Sequence, residues 1–192
     1  MKFGKIVTGL AALTAGATLY QLVEHGIPVR REYTVEVPEE LSGLTMVLLS
    51  DLHCNPLICN NSRVIAQIRA EQPDVILLAG DMISKYGKKE NERVPAFLKK
   101  LTEIAPVVYS MGNHEEALRQ YFPEQFWPYA KKVEDMGIYF PKDEIVSLVL
   151  QGKKVDFAGF NLKRDFYYKR VRRRLPEEAL KDLCVPHRER TV

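Results

Sequence analysis

Cysteine is scarce: three residues in 192 cannot make a disulfide scaffold. Neither sign of charge dominates. Lys+Arg 28 against Asp+Glu 25 leaves +3, too near neutral to mark a nucleic-acid-binding chain by itself. Glycine and proline, at 11 each, are too few for a collagen-like or linker-dominated chain. No internal repeat or low-complexity tract is visible, which excludes a solenoid. At 46% hydrophobic and 28% charged the chain can bury a core, which excludes a mainly disordered protein. Its length suits one domain with an appendage.

The appendage is expected at the N-terminus. Residues 6–23 carry no charge and follow Lys2 and Lys5. As a helix this run spans about 27 Å, close to the roughly 30 Å of a bilayer's hydrocarbon core. The triplet Ala15-Gly16-Ala17 also fits the small-x-small pattern of a cleaved signal. An uncleaved anchor is preferred, because the apolar run continues through Leu19, Leu22 and Val23. Lys2 and Lys5 favour an inside N-terminus, whereas Arg30 and Arg31 oppose it. The expected organisation is a membrane anchor or signal over 1–24, a connector over 25–43 and a domain over 44–192. That domain is expected on the extracytoplasmic side of the membrane.

Within the connector, Tyr33, Val35 and Val37 alternate with polar residues and suggest one extended piece. Residues 45–50, 74–79 and 106–110 are then short apolar runs of strand length, the first read as buried on both faces. Apolar residues at helical spacing over 62–71 and 91–101 separate them. Strand and helix alternating in this way imply a parallel α/β sheet. Residues 115–136 read as helix interrupted by Pro123 and Pro128. Short strands follow over 137–140, 144–150 and 155–160, with Gln151-Gly152-Lys153 as a hairpin turn between the last two. A final helix is expected over 176–183.

Polar residues gather where the first three strands end. Strand one runs into Ser50-Asp51-Leu52-His53, strand two into Gly80-Asp81, and strand three into Gly112-Asn113-His114-Glu115. Asp51 to Asp81 is 30 residues and Asp81 to Asn113 is 32, each the length of one βαβ unit. Open α/β sheets bind ligands at these carboxyl ends. Two carboxylates, an imidazole and an amide suit Mn, Fe, Zn or Mg rather than a thiolate-seeking metal. Asp81, between the other two strand ends, is the natural bridge between two ions. Two divalent ions can clamp a phosphoryl group, supply hydroxide near neutral pH and offset charge in the transition state.

The order D-x-H, G-D, G-N-H-E resembles the calcineurin-like metallophosphoesterase family over 44–192. The resemblance implies a metallophosphoesterase-type α/β/β/α sandwich: a parallel sheet from the first three strands, then an antiparallel extension. It implies Asp51, His53 and Asp81 as ligands of one metal, Asp81 and Asn113 as ligands of a second, and His114 as the catalytic histidine. With its anchor the chain is most similar to the membrane-associated bacterial branch. That branch includes enzymes similar to UDP-2,3-diacylglucosamine pyrophosphohydrolases, which act on a lipid-linked nucleotide sugar. The implied activity is hydrolysis of a phosphate ester or pyrophosphate by attack of metal-bound hydroxide. The rival readings are a non-catalytic membrane-tethered remnant and a nuclease.

The family pattern continues with a later histidine and a G-H-x-H motif, and neither occurs here. His187 precedes any apolar strand and is left unassigned. The domain is therefore expected to be incomplete at the C-terminus, with its second metal held by Asp81 and Asn113 alone. Cys54 and Cys59 match no common zinc spacing and read as idle or buried thiols. In 163–174, Lys163, Arg164, Lys169, Arg170, Arg172, Arg173 and Arg174 face the single anion Asp165. A solvated helix face is the plainest reading of that stretch. Next comes attraction to anionic headgroups, which ranks above nucleic acid given the anchor.

Overall fold

The computed structural model describes residues 30–53, 55, 56, 62–84 and 92–161. The expected anchor, Cys54 and Cys59, the basic stretch, the final helix and His187 lie outside them. No described helix is long and apolar enough to cross a membrane.

The chain divides into two compact units between Val35 and Glu36. Of the first, residues 30–35 are described; they are exposed and carry an Arg30–Glu32 ion pair at 3.0 Å. The extended piece expected here joins no strand ladder. Tyr33 and Val35 are exposed, as is Val37 at the start of the second unit.

In the second unit, β1 (Met46–Leu49), β2 (Val75–Leu78) and β3 (Val107–Tyr109) form a parallel sheet in that order. Met46 pairs with Val75 and Ile76 with Val107. The connections carry α1 (Ser62–Ala70) and α2 (Val94–Thr102). The latter starts later than the apolar spacing suggests, because Pro95 suits a first helical turn, where its missing N–H costs nothing. Beyond β3 come α3 (Asn113–Tyr121) and α4 (Pro123–Glu134). Pro123 marks the interruption expected of it, opening α4, but Pro128 lies inside that helix without ending it. Only one backbone bond is forfeited there, and Phe126, Ala130 and Val133 bury on both sides of the proline. The strand expected over 137–140 shrinks to a single bridge, in which Tyr139 pairs parallel to Val108 beside β3. A hairpin follows, β4 (Glu144–Leu150) against β5 (Lys153–Gly159). Its two-residue turn has positive φ at both Gln151 (47°) and Gly152 (77°), the backbone that matches strand twist.

Alternate residues of the sheet face two different cores. Ile76, Leu78, Val107 and Tyr109 join apolar residues of all four helices on one side. Val75 and Val108 meet Leu148, Leu150 and Val155 of the hairpin on the other. The hairpin is thus a second sheet laid on the first. The antiparallel pair expected from the sequence forms, but as a separate sheet rather than an extension of the first, because the inward residues of β4 and β5 bury against the face of β2 and β3. At the opposite end of the sheet from the motif loops, Asp74 accepts the Thr45 N–H and the Gln151 side-chain amide, each at 2.8 Å, so it ties the start of β1 to the hairpin turn.

The expectation that β1 is buried on both faces fails. Val47 and Leu49 pack toward the helices, but Met46 and Leu48 are 43% and 64% exposed. Being at the sheet edge, β1 has its hairpin-side face left uncovered by the described residues.

Candidate metal centre

The three motif loops leave the carboxyl ends of neighbouring strands and are laced to one another by backbone bonds. The Asp51 N–H donates to the Gly80 carbonyl at 3.2 Å, and the His53 N–H to the Asp81 carbonyl at 2.9 Å. Asp51, His53 and Asp81 have φ of 56°, 44° and 56°, a left-handed backbone uncommon for residues with side chains. Such conformations persist where the surroundings over-determine them.

Gly80 and Gly112 explain why the two later loops can touch. Gly80 has φ of 85°, and a Cβ there would run into the Gly112 backbone. A Cβ on Gly112 would in turn strike the Asp81 carboxylate. That carboxylate fills the space where a capping side chain would stand at the head of α3. Its Oδ1 accepts the His114 N–H at 2.8 Å, satisfying one of the unpaired donors of the helix's first turn.

The result is a cluster. His53, Asp81 and His114 each offer a ligand atom, and these atoms lie within 4.8 Å of one another. The two imidazole rings are 4.4 Å apart between centroids and tilted by 55°. Asp81 is buried, at 8% exposure. A carboxylate offers about four lone pairs, so Asp81 can accept from His114 and still coordinate an ion. Two imidazoles and one carboxylate are a donor set that fits a borderline divalent metal.

The other expected ligands stand at the margin of this cluster. Asp51 Oδ1 is 3.5 Å from His53 Nε2, but its side chain is 67% exposed, against 40% for His53. Asp51 Oδ2 accepts the Ser50 hydroxyl at 2.6 Å. Asn113 is half-buried as the first residue of α3.

Glu115 was not singled out from the sequence, yet it is fully buried. Its Oε2 accepts the N–H of Asp81 at 2.8 Å and of Gly112 at 2.9 Å. Its Oε1 accepts the N–H of Met82 at 2.8 Å and of Ile83 at 3.1 Å, and the Tyr109 hydroxyl at 2.6 Å. Burial pushes the Glu115 carboxyl up from the usual carboxylate range, while the Tyr109 hydroxyl and the backbone donors pull it back down. Every one of these contacts is a donor, which is the geometry of an ionised carboxylate. Burial first, then the nearby Glu115 charge, hold the Tyr109 hydroxyl well above an ordinary tyrosine value, so it keeps its proton as a donor. With that proton directed at Glu115, the Tyr129 hydroxyl, 3.1 Å away, donates to Tyr109. The sequence held two hints: Glu115 closes the G-N-H-E motif, and it lies three residues after a loop glycine, the spacing of a helix-capping carboxylate.

Comparison with known proteins agrees with this geometry. The family model for calcineurin-like phosphoesterases matches residues 44–190. The chain is 30% identical over 112 residues to a "Transmembrane protein with metallophosphoesterase domain" of Danio rerio, covering 54% of this chain and 25% of that protein. It is 26% identical over 90 residues to an uncharacterized metallophosphoesterase of Campylobacter jejuni, covering 46% of this chain and 24% of that one. The chain thus spans about a quarter of the length of the curated relatives it matches. Among solved structures, a phosphopantetheinyl hydrolase from Mycobacterium tuberculosis aligns with a TM-score of 0.43 at 19% identity, covering 62% of this chain and 42% of that one. With the family model spanning most of its length and the motif residues gathered at the ends of a parallel sheet, the chain belongs to the calcineurin-like phosphoesterase family.

Proposed function

We propose that this chain is a divalent-metal-dependent phosphoesterase that hydrolyses a phosphate ester or pyrophosphate. The observation that carries the reading is the cluster of His53, Asp81 and His114, with ligand atoms within 4.8 Å, at the carboxyl ends of three parallel strands. Asp81 would hold and bridge the ions, with His53 and Asp51 on one side and Asn113 on the other. Divalent ions bound there would polarise the phosphoryl group and lower the pKa of a water molecule. The buried, cross-linked loops of Asp81 and His114 fix the donors before substrate arrives, so little reorganisation is needed at the moment of reaction.

His114 has two roles open to it. As a catalytic histidine it contacts the phosphate or protonates the leaving oxygen. Its place in the cluster favours a second role, that of a ligand. His114→Ala separates them: a ligand's loss weakens Mn²⁺ binding, whereas an acid's loss lowers kcat with binding kept.

The substrate class we infer is a phosphorylated small molecule or a lipid-linked nucleotide sugar, as for the UDP-2,3-diacylglucosamine pyrophosphohydrolase-like branch. It rests on the uncharged run at 6–23, supported by a relative described as a transmembrane protein. That run would anchor the chain with its domain on the extracytoplasmic side. Hydrolysis of a generic aryl phosphate by the full chain, dependent on added Mn²⁺ and lost in Asp81→Ala, tests the activity. Metal-independent turnover, or turnover that survives Asp81→Ala, overturns it. Release from membranes by alkaline carbonate rather than by detergent would overturn the anchor.

A further inference from the structure

We propose that Glu115 is a positioning residue for the metal centre, holding the loops after β2 and β3 in the one arrangement that aims Asp81 and His114 at a common ion. The inference rests on reading the cluster as a divalent-metal site.

The argument begins with direction. Three consecutive N–H groups, those of Asp81, Met82 and Ile83, converge on the Glu115 carboxylate at 2.8, 2.8 and 3.1 Å. Successive N–H groups of this kind form an anion-receiving concavity. Here the anion is supplied by the protein itself, from a helix that begins on the neighbouring loop. The bond is reciprocated: Asp81 from the second loop accepts the His114 N–H of the third at 2.8 Å. Each loop therefore presents a carboxylate to the other's backbone. Rotation of either loop would break bonds at both ends of this clasp.

The clasp reaches the ligands without touching the ion. Asp81 is bound through its N–H to Glu115, through its carbonyl to the His53 N–H at 2.9 Å, and through its carboxylate to His114. The other two members of the cluster, His53 and His114, are thus tied to Asp81, and Asp81 is tied to Glu115. Tyr109, from the buried strand β3, supplies the fifth donor at 2.6 Å and is backed by Tyr129 of α4. A site anchored to a strand and a helix is held more closely than one on loops alone.

Glu115→Gln keeps the shape and removes the symmetry of acceptance. One end of the amide becomes NH₂ and faces N–H donors, so buried backbone donors lose their partner whichever way the amide is turned. Groups that orient metal ligands typically cost about 10- to 100-fold in affinity when replaced. The test is calorimetric titration with Mn²⁺ of the full 192-residue chain, with the folded fraction checked by circular dichroism at the same temperature. Ile68→Val, a buried change in α1 outside the three motif loops, serves as the control for lost stability alone.

Folded Glu115→Gln is expected to bind Mn²⁺ about 10- to 100-fold more weakly than wild type, and Ile68→Val within about twofold. Wild-type affinity in folded Glu115→Gln, or a loss no larger than that of Ile68→Val, overturns the proposal. If Glu115→Gln does not fold, Tyr109→Phe decides the matter by removing one donor from the carboxylate. A loss of Mn²⁺ affinity beyond that of Ile68→Val supports the proposal, and an unchanged affinity overturns it. The underlying reading fails separately, when wild type binds no Mn²⁺ or binding survives Asp81→Ala.

Discussion

The two halves of the candidate site are built differently. Asp81 and His114 stand on loops that share carboxylates and N–H groups across a buried boundary, with glycines at the points of closest approach. Asp51 and His53 stand on the loop after β1, at the edge of the sheet, where the Asp51 side chain is largely open to solvent and that of His53 partly so. The closed half fixes donors in advance. The open half leaves room for a substrate to enter and for ligands to adjust as an ion binds. One candidate centre thus combines preorganisation with access, and the difference follows from strand order, because among the described residues β2 and β3 are flanked on both sides and β1 on one.

The sharpest way to break the comparison is Asp81→Ala. It deletes the buried anionic donor of the cluster and leaves the His114 N–H without its acceptor. Mn²⁺ affinity measured by calorimetry should fall by more than about 100-fold, which corresponds to roughly 3 kcal/mol. Gly112→Ala should come next. The added Cβ would collide with the Asp81 carboxylate, so the ligand or the helix head must move. Overpacking of this kind costs about 1–3 kcal/mol. A lower melting temperature and a roughly tenfold weaker Mn²⁺ site are expected together.

Asp51→Ala attacks the open half. Asp51 lies beside His53 but outside the group whose ligand atoms converge within 4.8 Å. Its removal should weaken Mn²⁺ by roughly tenfold and leave the melting temperature within about a degree, since an exposed side chain contributes little to stability. An effect as large as that of Asp81→Ala would show that the open loop closes fully around the ion.

Much of the frame was legible because three short apolar runs, each followed by a polar motif at the spacing of one βαβ unit, read as parallel strands feeding one site. The hairpin turn was legible for a similar local reason, since positive φ at Gln151 and Gly152 favours a residue such as glycine, although Lys153, read as its third residue, opens β5. What escaped depended on distant partners. Nothing near 144–159 says which sheet a hairpin will join, and only burial against Val75 and Val108 makes it a second layer. Pro128 was read as a breaker, because local preference could not anticipate the packing of Phe126 and Val133. His53, Asp81 and His114 were legible as candidate site residues from their place after strands. Glu115 was legible only as the last residue of G-N-H-E, because its role is set by a loop 34 residues away whose backbone donors leave no mark in the sequence.

The smallest effect is expected from Ser50→Ala, and it bears on the comparison most finely. Ser50 donates to Asp51 Oδ2 at 2.6 Å, with the Ala79 carbonyl at 3.5 Å as a weaker alternative. Formally it does for Asp51 what Glu115 does for Asp81: a neighbouring side chain steadies a candidate ligand. The surroundings differ. The Ser50–Asp51 bond is exposed, so water replaces the hydroxyl when it is removed, and the net loss should be about 0.5 kcal/mol or less. That is roughly a twofold change in Mn²⁺ affinity. The Glu115 bonds are buried, and no water stands ready to replace a missing acceptor. A twofold effect for Ser50→Ala beside a tenfold or larger one for Glu115→Gln would mean that burial, rather than the mere presence of a hydrogen bond, decides how firmly each half of the site is held. A tenfold loss in Ser50→Ala would mean that the loop after β1 is as preorganised as the other two, despite its exposure.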